Sequence, residues 1–161
     1  MNLDIDIQVA WEGTCNHKNS NNLPTPTDFN RWVSAALRGE REAAELSIRI
    51  VDAPESRELN HRYRGQDKPT NILSFPAELP AGVNVPLLGD LVVCAPIVFQ
   101  EASAQNKTPA AHWAHMVVHG TLHLLGYDHI DDTDAETMER LETEILTGLN
   151  YPAPYTEILL Q

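Results

Sequence analysis

The sequence contains little cysteine, few basic residues and no long apolar run. Only two of its 161 residues are cysteines, Cys15 and Cys94, which is too few for a disulfide framework and favours a reducing compartment. No stretch approaches the roughly 18 apolar residues that a membrane-spanning helix needs, and the acidic amino terminus lacks the pattern of a secretory signal. We therefore expect a cytoplasmic protein with no membrane partner.

The scarcity of basic residues gives the chain a strongly negative charge. Eleven lysines and arginines stand against 23 acids, for a net charge of −12. Taken as a whole this argues against a nucleic-acid partner, because phosphate binding depends on Lys and Arg. The charge is uneven, however. Residues 128–144 carry eight acids and one arginine, which we expect on a solvated helix face. A basic cluster lies elsewhere, formed by Arg57, Arg62, Arg64 and Lys68.

What is present indicates one globular α+β domain spanning residues 1–161. A hydrophobic content of 42% and a charged content of 21% are ordinary for a folded domain of this length. A polar stretch at residues 16–22 predicts a loop. Apolar alternation predicts strands over residues 3–9 and 46–51, and two further strands are predicted over residues 70–75 and 87–94. Spacings of three and four predict helices from a cap at Thr27 or Asp28 to residue 37, from the cap Asp52 to residue 63, and over residues 96–105, 108–125 and 134–149.

Histidine is the residue type whose distribution stands out. Five of the seven histidines fall between positions 112 and 129. At 100° per residue, four of them lie on a helical stripe about 80° wide: His112, His115, His119 and His123. One histidine on a helix face is usually structural, but four together favour a metal site, with a purely structural cluster as the alternative.

The spacing within this group suits a zinc ion. His119 and His123, four residues apart, can bind one ion, whereas His115 is too far from His123 to share it. Gly126 can end the helix in a left-handed conformation and let the chain return His129 as a third ligand. Three imidazoles favour Zn²⁺ with an open fourth position, as in catalytic sites, and would also accept Ni²⁺ or Co²⁺.

A metallopeptidase is one alternative, because the same histidine spacing occurs in zinc peptidases whose motif places a glutamate after the first histidine. Here that position is Gly120, which has no group to accept a proton. Asp128 is close enough in sequence to act as a base, or to hold a ligand histidine in place. The residues leave both roles of Asp128 open.

Three motifs resemble the YbeY family of bacterial rRNA-processing endoribonucleases. Residues 119–129 match its signature, H-G-x-L-H-L-x-G-Y-D-H. Residues 63–76 resemble Y-R-x-x-D-x-P-T-x-V-L-S-F-P, with Ile72 in place of valine, and residues 88–91 resemble L-G-D-I, with Leu91 in place of isoleucine. The motifs follow one another in the family's order across almost the whole chain.

This resemblance implies a four-stranded, mostly parallel sheet packed by about five helices, with a zinc site at the end of a central helix. It implies one zinc ion held by His119, His123 and His129. It also implies single-strand-specific cleavage in maturation of the 3′ end of small-subunit (16S) rRNA and in ribosome quality control. The implied partners are the small subunit, with ribosomal proteins and an assembly GTPase as further candidates.

Within that resemblance, His119 and Arg64 are the candidate catalytic residues. Arg64 matches an arginine with a functional role in the family, and its guanidinium suits the charge that develops on a phosphate. Arg62 and Lys68 are further candidates for contact with RNA. Supporting positions are assigned to His115, Asp128 and Asp90. A ribosome-assembly factor whose metal is mainly structural remains the second alternative.

Overall fold

A computed structural model describes residues 2–11, 23–39, 41–83, 85–127 and 132–154 of the chain. The elements follow the chain as β1 (Asn2–Val9), α1 (Pro26–Leu37), β2 (Ala43–Val51), α2 (Ala53–Arg64), β3 (Ile72–Pro76), β4 (Leu87–Cys94), α3 (Ala95–Ala104), α4 (Pro109–Leu124) and α5 (Asp132–Gly148). The sequence predicts an element of the right type at each of these places. The predicted loop at residues 16–22 lies outside the described part.

The strands form one mixed sheet in the order β1-β2-β4-β3. Strands β1, β2 and β4 are parallel, and β3 runs antiparallel to β4. Parallel neighbours need crossover connections, and here α1 joins β1 to β2. The implied α+β fold with a mostly parallel, four-stranded sheet is confirmed.

The main core lies between one face of the sheet and helices α1, α4 and α5. Alternate β4 residues Leu91 and Val93 belong to it, together with Trp32 of α1, Trp113 of α4 and Met138 of α5. The residues between them in β4 point to the opposite face, where a smaller cluster forms. That cluster consists of Val51, Leu73, Val92 and Cys94.

Strand β2 begins at Ala43, three residues before its predicted start. Two other predicted boundaries are wrong for a local reason. The cap of α1 is Thr25, whose hydroxyl accepts from the N–H of Asp28 while the Asp28 carboxylate accepts from the N–H of Thr25. Strand β3 begins at Ile72 and not at Thr70. The backbone N–H and C=O of Thr70 both bond the Ser56 hydroxyl, at 2.9 and 3.0 Å, so they are not available to a neighbouring strand.

A helix crosses a lipid bilayer only if it is long enough and predominantly apolar. Within the ranges described above, no helix is both long enough and apolar enough to cross a membrane. The longest, α5, has 17 residues and carries acids along its length, whereas a spanning helix needs about 20 predominantly apolar residues.

Candidate active site

Helix α4 buries its histidines to different depths along one stripe. The helix begins after Thr108, whose hydroxyl accepts from the N–H of Ala111. His112 and His115 are 2% and 8% exposed, while His119 and His123 are partly exposed. The stripe therefore runs from the interior to the surface, and its last two members are the ones that a ligand can reach.

His119 and His123 bring two ring nitrogens together. Their Nε2 atoms lie 3.1 Å apart. Tetrahedral coordination at about 2.0–2.1 Å would place two imidazole nitrogens roughly 3.3 Å apart on one zinc ion. The pair thus fits two ligands of a metal with little movement. No group of three potential ligands occurs in the described ranges; His129, the third predicted ligand, and Asp128 lie outside them.

The end of α4 is formed as the glycine predicts. Gly126 has φ +106°, a conformation that residues with a Cβ rarely adopt. The N–H of Tyr127 donates to the C=O of Leu122 at 3.1 Å, and the N–H of Gly126 to the C=O of His123 at 3.0 Å. These two bonds make a Schellman motif, which ends the helix at Leu124, directly after His123.

Glu142 of α5 lies beneath the histidines. Its side chain is fully buried, with Oε1 2.6 Å from Nε2 of His115 and Oε2 3.0 Å from Nδ1 of His119. Burial alone would raise the pKa of Glu142, but the hydrogen bonds from the two histidines outweigh it and hold the pKa at about 2. A carboxylate only accepts hydrogen bonds, so Nδ1 of His119 donates to it, and in the neutral tautomer Nε2 is then left with its lone pair.

A cleft of about 510 Å³ opens in front of the histidine pair. It is lined by Arg64, Ile72, Leu73, Ser74, Pro76, His119, His123, Gly126 and Tyr127. The lining comes from the end of α2, from β3, which follows it closely in sequence, and from the end of α4, which follows only after β4 and α3. The structure therefore brings the two candidate catalytic residues, Arg64 and His119, to one cavity.

Arg64 is held at the wall of this cleft. It is the last residue of α2, which ends at Gly65 with φ +72°. Its Nη2 donates to the C=O of Ser74 at 2.9 Å, and its guanidinium lies over the ring of Phe75, 5.5 Å from the centroid. Across the described ranges Arg64 has no carboxylate within 4.0 Å, unlike the neighbouring arginines, so its charge is available to a ligand.

Those neighbours are paired. Arg57 bonds Asp67 at 2.8 Å and Arg62 bonds Glu58 at 3.0 Å, all on the exposed surface. The Asp67 partner raises the pKa of Arg57, and Arg57 lowers that of Asp67. Arg62 and Lys68, the other candidates for RNA contact, are exposed but do not line the cleft. Much of the basic cluster is thus neutralised by acids of its own segment.

Gly120 packs where a peptidase would carry its glutamate. A Cβ at this position would lie 2.7 Å from Cδ1 of Ile72 and 2.8 Å from Cδ2 of Leu91. The Ser74 hydroxyl also donates to the C=O of Gly120, at 3.3 Å. The missing side chain permits close contact of α4 with β3 and β4, so a glutamate here would point into the sheet.

Sequence reasoning missed Glu142, and the structure does not bring Asp90 to the cleft. Glu142 was expected on a solvated face with the other acids of residues 128–144; that expectation is wrong for this residue. Its spacing from Met138 and Ile145, four and three residues, is the signal that places it on the apolar face of α5. Asp90 accepts from the Ser47 hydroxyl and alternates with Leu91, so it lies on the sheet face opposite α4 and the histidines.

An imidazole pair and an available arginine in one open cleft define a candidate phosphodiester hydrolase on an α+β domain. Comparison with known proteins agrees with this class. A family model described as endoribonuclease YbeY matches residues 14–150. The solution structure of TM1509 from Thermotoga maritima is similar to the chain, with a TM-score of 0.56 and 29% sequence identity over 87% of this chain and 86% of that one.

The chain therefore belongs to the endoribonuclease YbeY family. The resemblance seen in the three sequence motifs is confirmed. Membership supports an endoribonuclease role in rRNA processing, and with it hydrolysis of RNA and rRNA as a partner.

Proposed function

We propose that the protein is a zinc-dependent, single-strand-specific endoribonuclease that matures the 3′ end of small-subunit rRNA and acts in ribosome quality control. The observation that carries this proposal is the shared cleft: Arg64 and the pair His119–His123 line one cavity of about 510 Å³. Proteins that recognise RNA mostly target unpaired segments, whose bases can be splayed apart, which favours a single-stranded substrate. The partners proposed are the small subunit, its proteins and an assembly GTPase.

The residues present fit a metal ion. His119 and His123 would hold it with Nε2 atoms already 3.1 Å apart, and His129 is the proposed third ligand. Zinc in such a site acts as a Lewis acid on a phosphoryl oxygen and activates water as a nucleophile. Nickel and cobalt are chemically acceptable substitutes.

Arg64 would bind the phosphate of the scissile bond. Its position is set by Ser74 and Phe75, so the guanidinium does not have to be ordered when RNA binds. A planar, permanently charged donor stabilises the oxygens that gain charge during phosphoryl transfer. Arg62 and Lys68 would contact flanking phosphates from outside the cleft, which is a weaker and more salt-sensitive role.

The test is cleavage of precursor small-subunit rRNA by zinc-loaded and by chelated protein. We expect a discrete cut that chelation abolishes. Arg64→Glu should lose cleavage by a factor on the order of 10² or more while keeping its zinc. Arg41→Glu is the charge-matched control, because Arg41 is exposed and does not line the cleft, and it should cleave like the wild type.

Two results would overturn the proposal. Undiminished cleavage by Arg64→Glu would remove the role of the arginine. A His119→Ala protein that folds, binds small subunits and restores rRNA maturation would favour an assembly factor that works by binding. The peptidase alternative is disfavoured by the packing around Gly120, where Ile72 and Leu91 occupy the space a general base would need.

A further inference from the structure

We propose that Glu142 is the positioning residue of this site: it holds His119 in the tautomer that points the Nε2 lone pair at the metal, and it thereby sets the affinity for zinc. The inference rests on the proposed metal site, and it assigns a role to a residue of α5 that none of the three sequence motifs contains. Glu142 would act through His119 and would not touch the substrate.

The first argument is the hydrogen bond itself. Oε2 of Glu142 lies 3.0 Å from Nδ1 of His119, on the ring edge opposite Nε2. A histidine that binds a metal through one nitrogen almost always donates its other N–H to a carboxylate, a carbonyl or water. Here the fold itself supplies that acceptor, because α5 places the Glu142 carboxylate against Nδ1 of His119.

The carboxylate of Glu142 cannot rotate freely. Its other oxygen, Oε1, lies 2.6 Å from Nε2 of His115, and the side chain is fully buried. His115 is therefore a support for Glu142, and through it for His119. His115 would therefore have its supporting role through Glu142. It lies too far along the helix to bind the same ion itself.

The packing of α5 sets the position of Glu142. Met138, one turn before Glu142, is completely buried, and so is Leu146, one turn after it, at 1% exposure. The two side chains pack into the main core and fix the height and rotation of α5 against α4. A buried carboxylate would be unfavourable unless it were fully hydrogen-bonded, and the two histidines supply those bonds.

The chain carries its own matched control on the same helix. His112 Nε2 bonds Oε1 of Glu101 at 2.8 Å, the same kind of pair two turns before His119. Glu101 also accepts from the amide of Asn71. His112 is 2% exposed and does not line the cleft. Changing Glu101 to Gln therefore alters a histidine–carboxylate pair in which neither residue bonds a proposed metal ligand.

The experiment measures zinc affinity by competition with a chromophoric chelator. Glu142→Gln should bind zinc about 10–100-fold more weakly than the wild type, because an amide can donate as well as accept and no longer fixes the His119 tautomer. Glu101→Gln should keep the wild-type affinity.

A measurement on the unsubstituted protein covers the case in which Glu142→Gln does not fold. Nitrogen-15 NMR of the metal-free wild type at about pH 8, where an ordinary imidazole is neutral, should show His119 protonated at Nδ1. An Nε2–H tautomer would overturn the proposal. So would equal zinc affinity of Glu142→Gln and wild type, with His119→Ala still deficient. If the wild type itself bound no zinc, the proposed metal site would fail together with this inference.

Discussion

The two ends of α4 carry the same residue type on the same stripe and use it differently. At the amino-terminal end, His112 is 2% exposed and bonds Glu101 on α3. At the carboxyl-terminal end, the side chain of His119 is 21% exposed, bonds Glu142 on α5 and faces His123 in the cleft. Each ring forms a hydrogen bond to a carboxylate through one of its nitrogens. The two histidines differ in the surroundings of the other ring nitrogen.

In His112 that other nitrogen, Nδ1, is buried without a hydrogen-bond partner among the described residues. In His119 it is Nε2, 3.1 Å from Nε2 of His123. A carboxylate beneath a histidine is thus not by itself a sign of function. It becomes one where the opposite nitrogen faces a second ligand and a cavity that a substrate can enter.

The largest expected effect is a loss of zinc binding, and it should occur on substitution at the carboxyl-terminal end of α4 but not at the amino-terminal end. His119→Ala removes a proposed ligand, and we expect it to lose zinc binding by more than the roughly 100-fold that loss of an outer partner causes, and to lose RNA cleavage with it. His112→Ala removes only a buried pair. Its zinc affinity should match the wild type, while its free energy of unfolding falls by about 1–3 kcal/mol.

The measurements are chelator competition for zinc and denaturant unfolding for stability, made on the same preparations. An equal loss of zinc affinity in His112→Ala and His119→Ala would contradict the difference between the two ends of α4. The stripe would then act as one cluster, and the division into a structural and a functional end would be wrong.

A smaller effect should appear in thermal stability. Zinc that binds only the folded state stabilises it by about 2.7 kcal/mol at 100 times the Kd, and a domain of this size gains roughly 2–4 °C per kcal/mol. We expect zinc to raise the Tm of the wild type and of His112→Ala by several degrees. Differential scanning calorimetry of His119→Ala should show almost no shift; a full shift there would place the zinc elsewhere.

Most of the fold could be predicted because its signals are local. The strand predicted over residues 87–94 matches β4 at its observed bounds, and Asp52 followed by Pro54 marks the start of α2. Two of the errors, at α1 and β3, occur where a side chain bonds the backbone. The Ser56 hydroxyl bonds the backbone of Thr70, 14 residues away, and Thr70 is therefore not part of β3. The pattern of apolar residues contains no signal for a hydrogen bond of this kind.

The site was predictable to the extent that it lies on one helix. His119, His123 and Gly126 follow from spacing, and Arg64 followed only from resemblance. Glu142 was missed because an acid-rich segment suggests a solvated face, and only the position of that residue among apolar neighbours indicates burial. Asp90 shows the converse: a motif can place a residue in a family pattern without placing it near the cleft.

The smallest expected effect is a pH dependence that belongs to the structural end of α4. Burial lowers the pKa of His112, and the hydrogen bond that its ring donates to Glu101 of α3 only partly opposes this, with Lys107 and His115 lowering the pKa further. The unfolded chain therefore takes up a proton near pH 6.5, where folded His112 does not. Stability conferred by the neutral ring is complete above that pH and is lost as the pH falls toward the lowered folded pKa. Denaturant unfolding of metal-free protein across this window should give a shallower slope for His112→Gln than for wild type. A slope that is unchanged would mean that His112 is protonated as readily in the folded protein as in the unfolded chain, so that burial at this end of the helix has no effect on its titration.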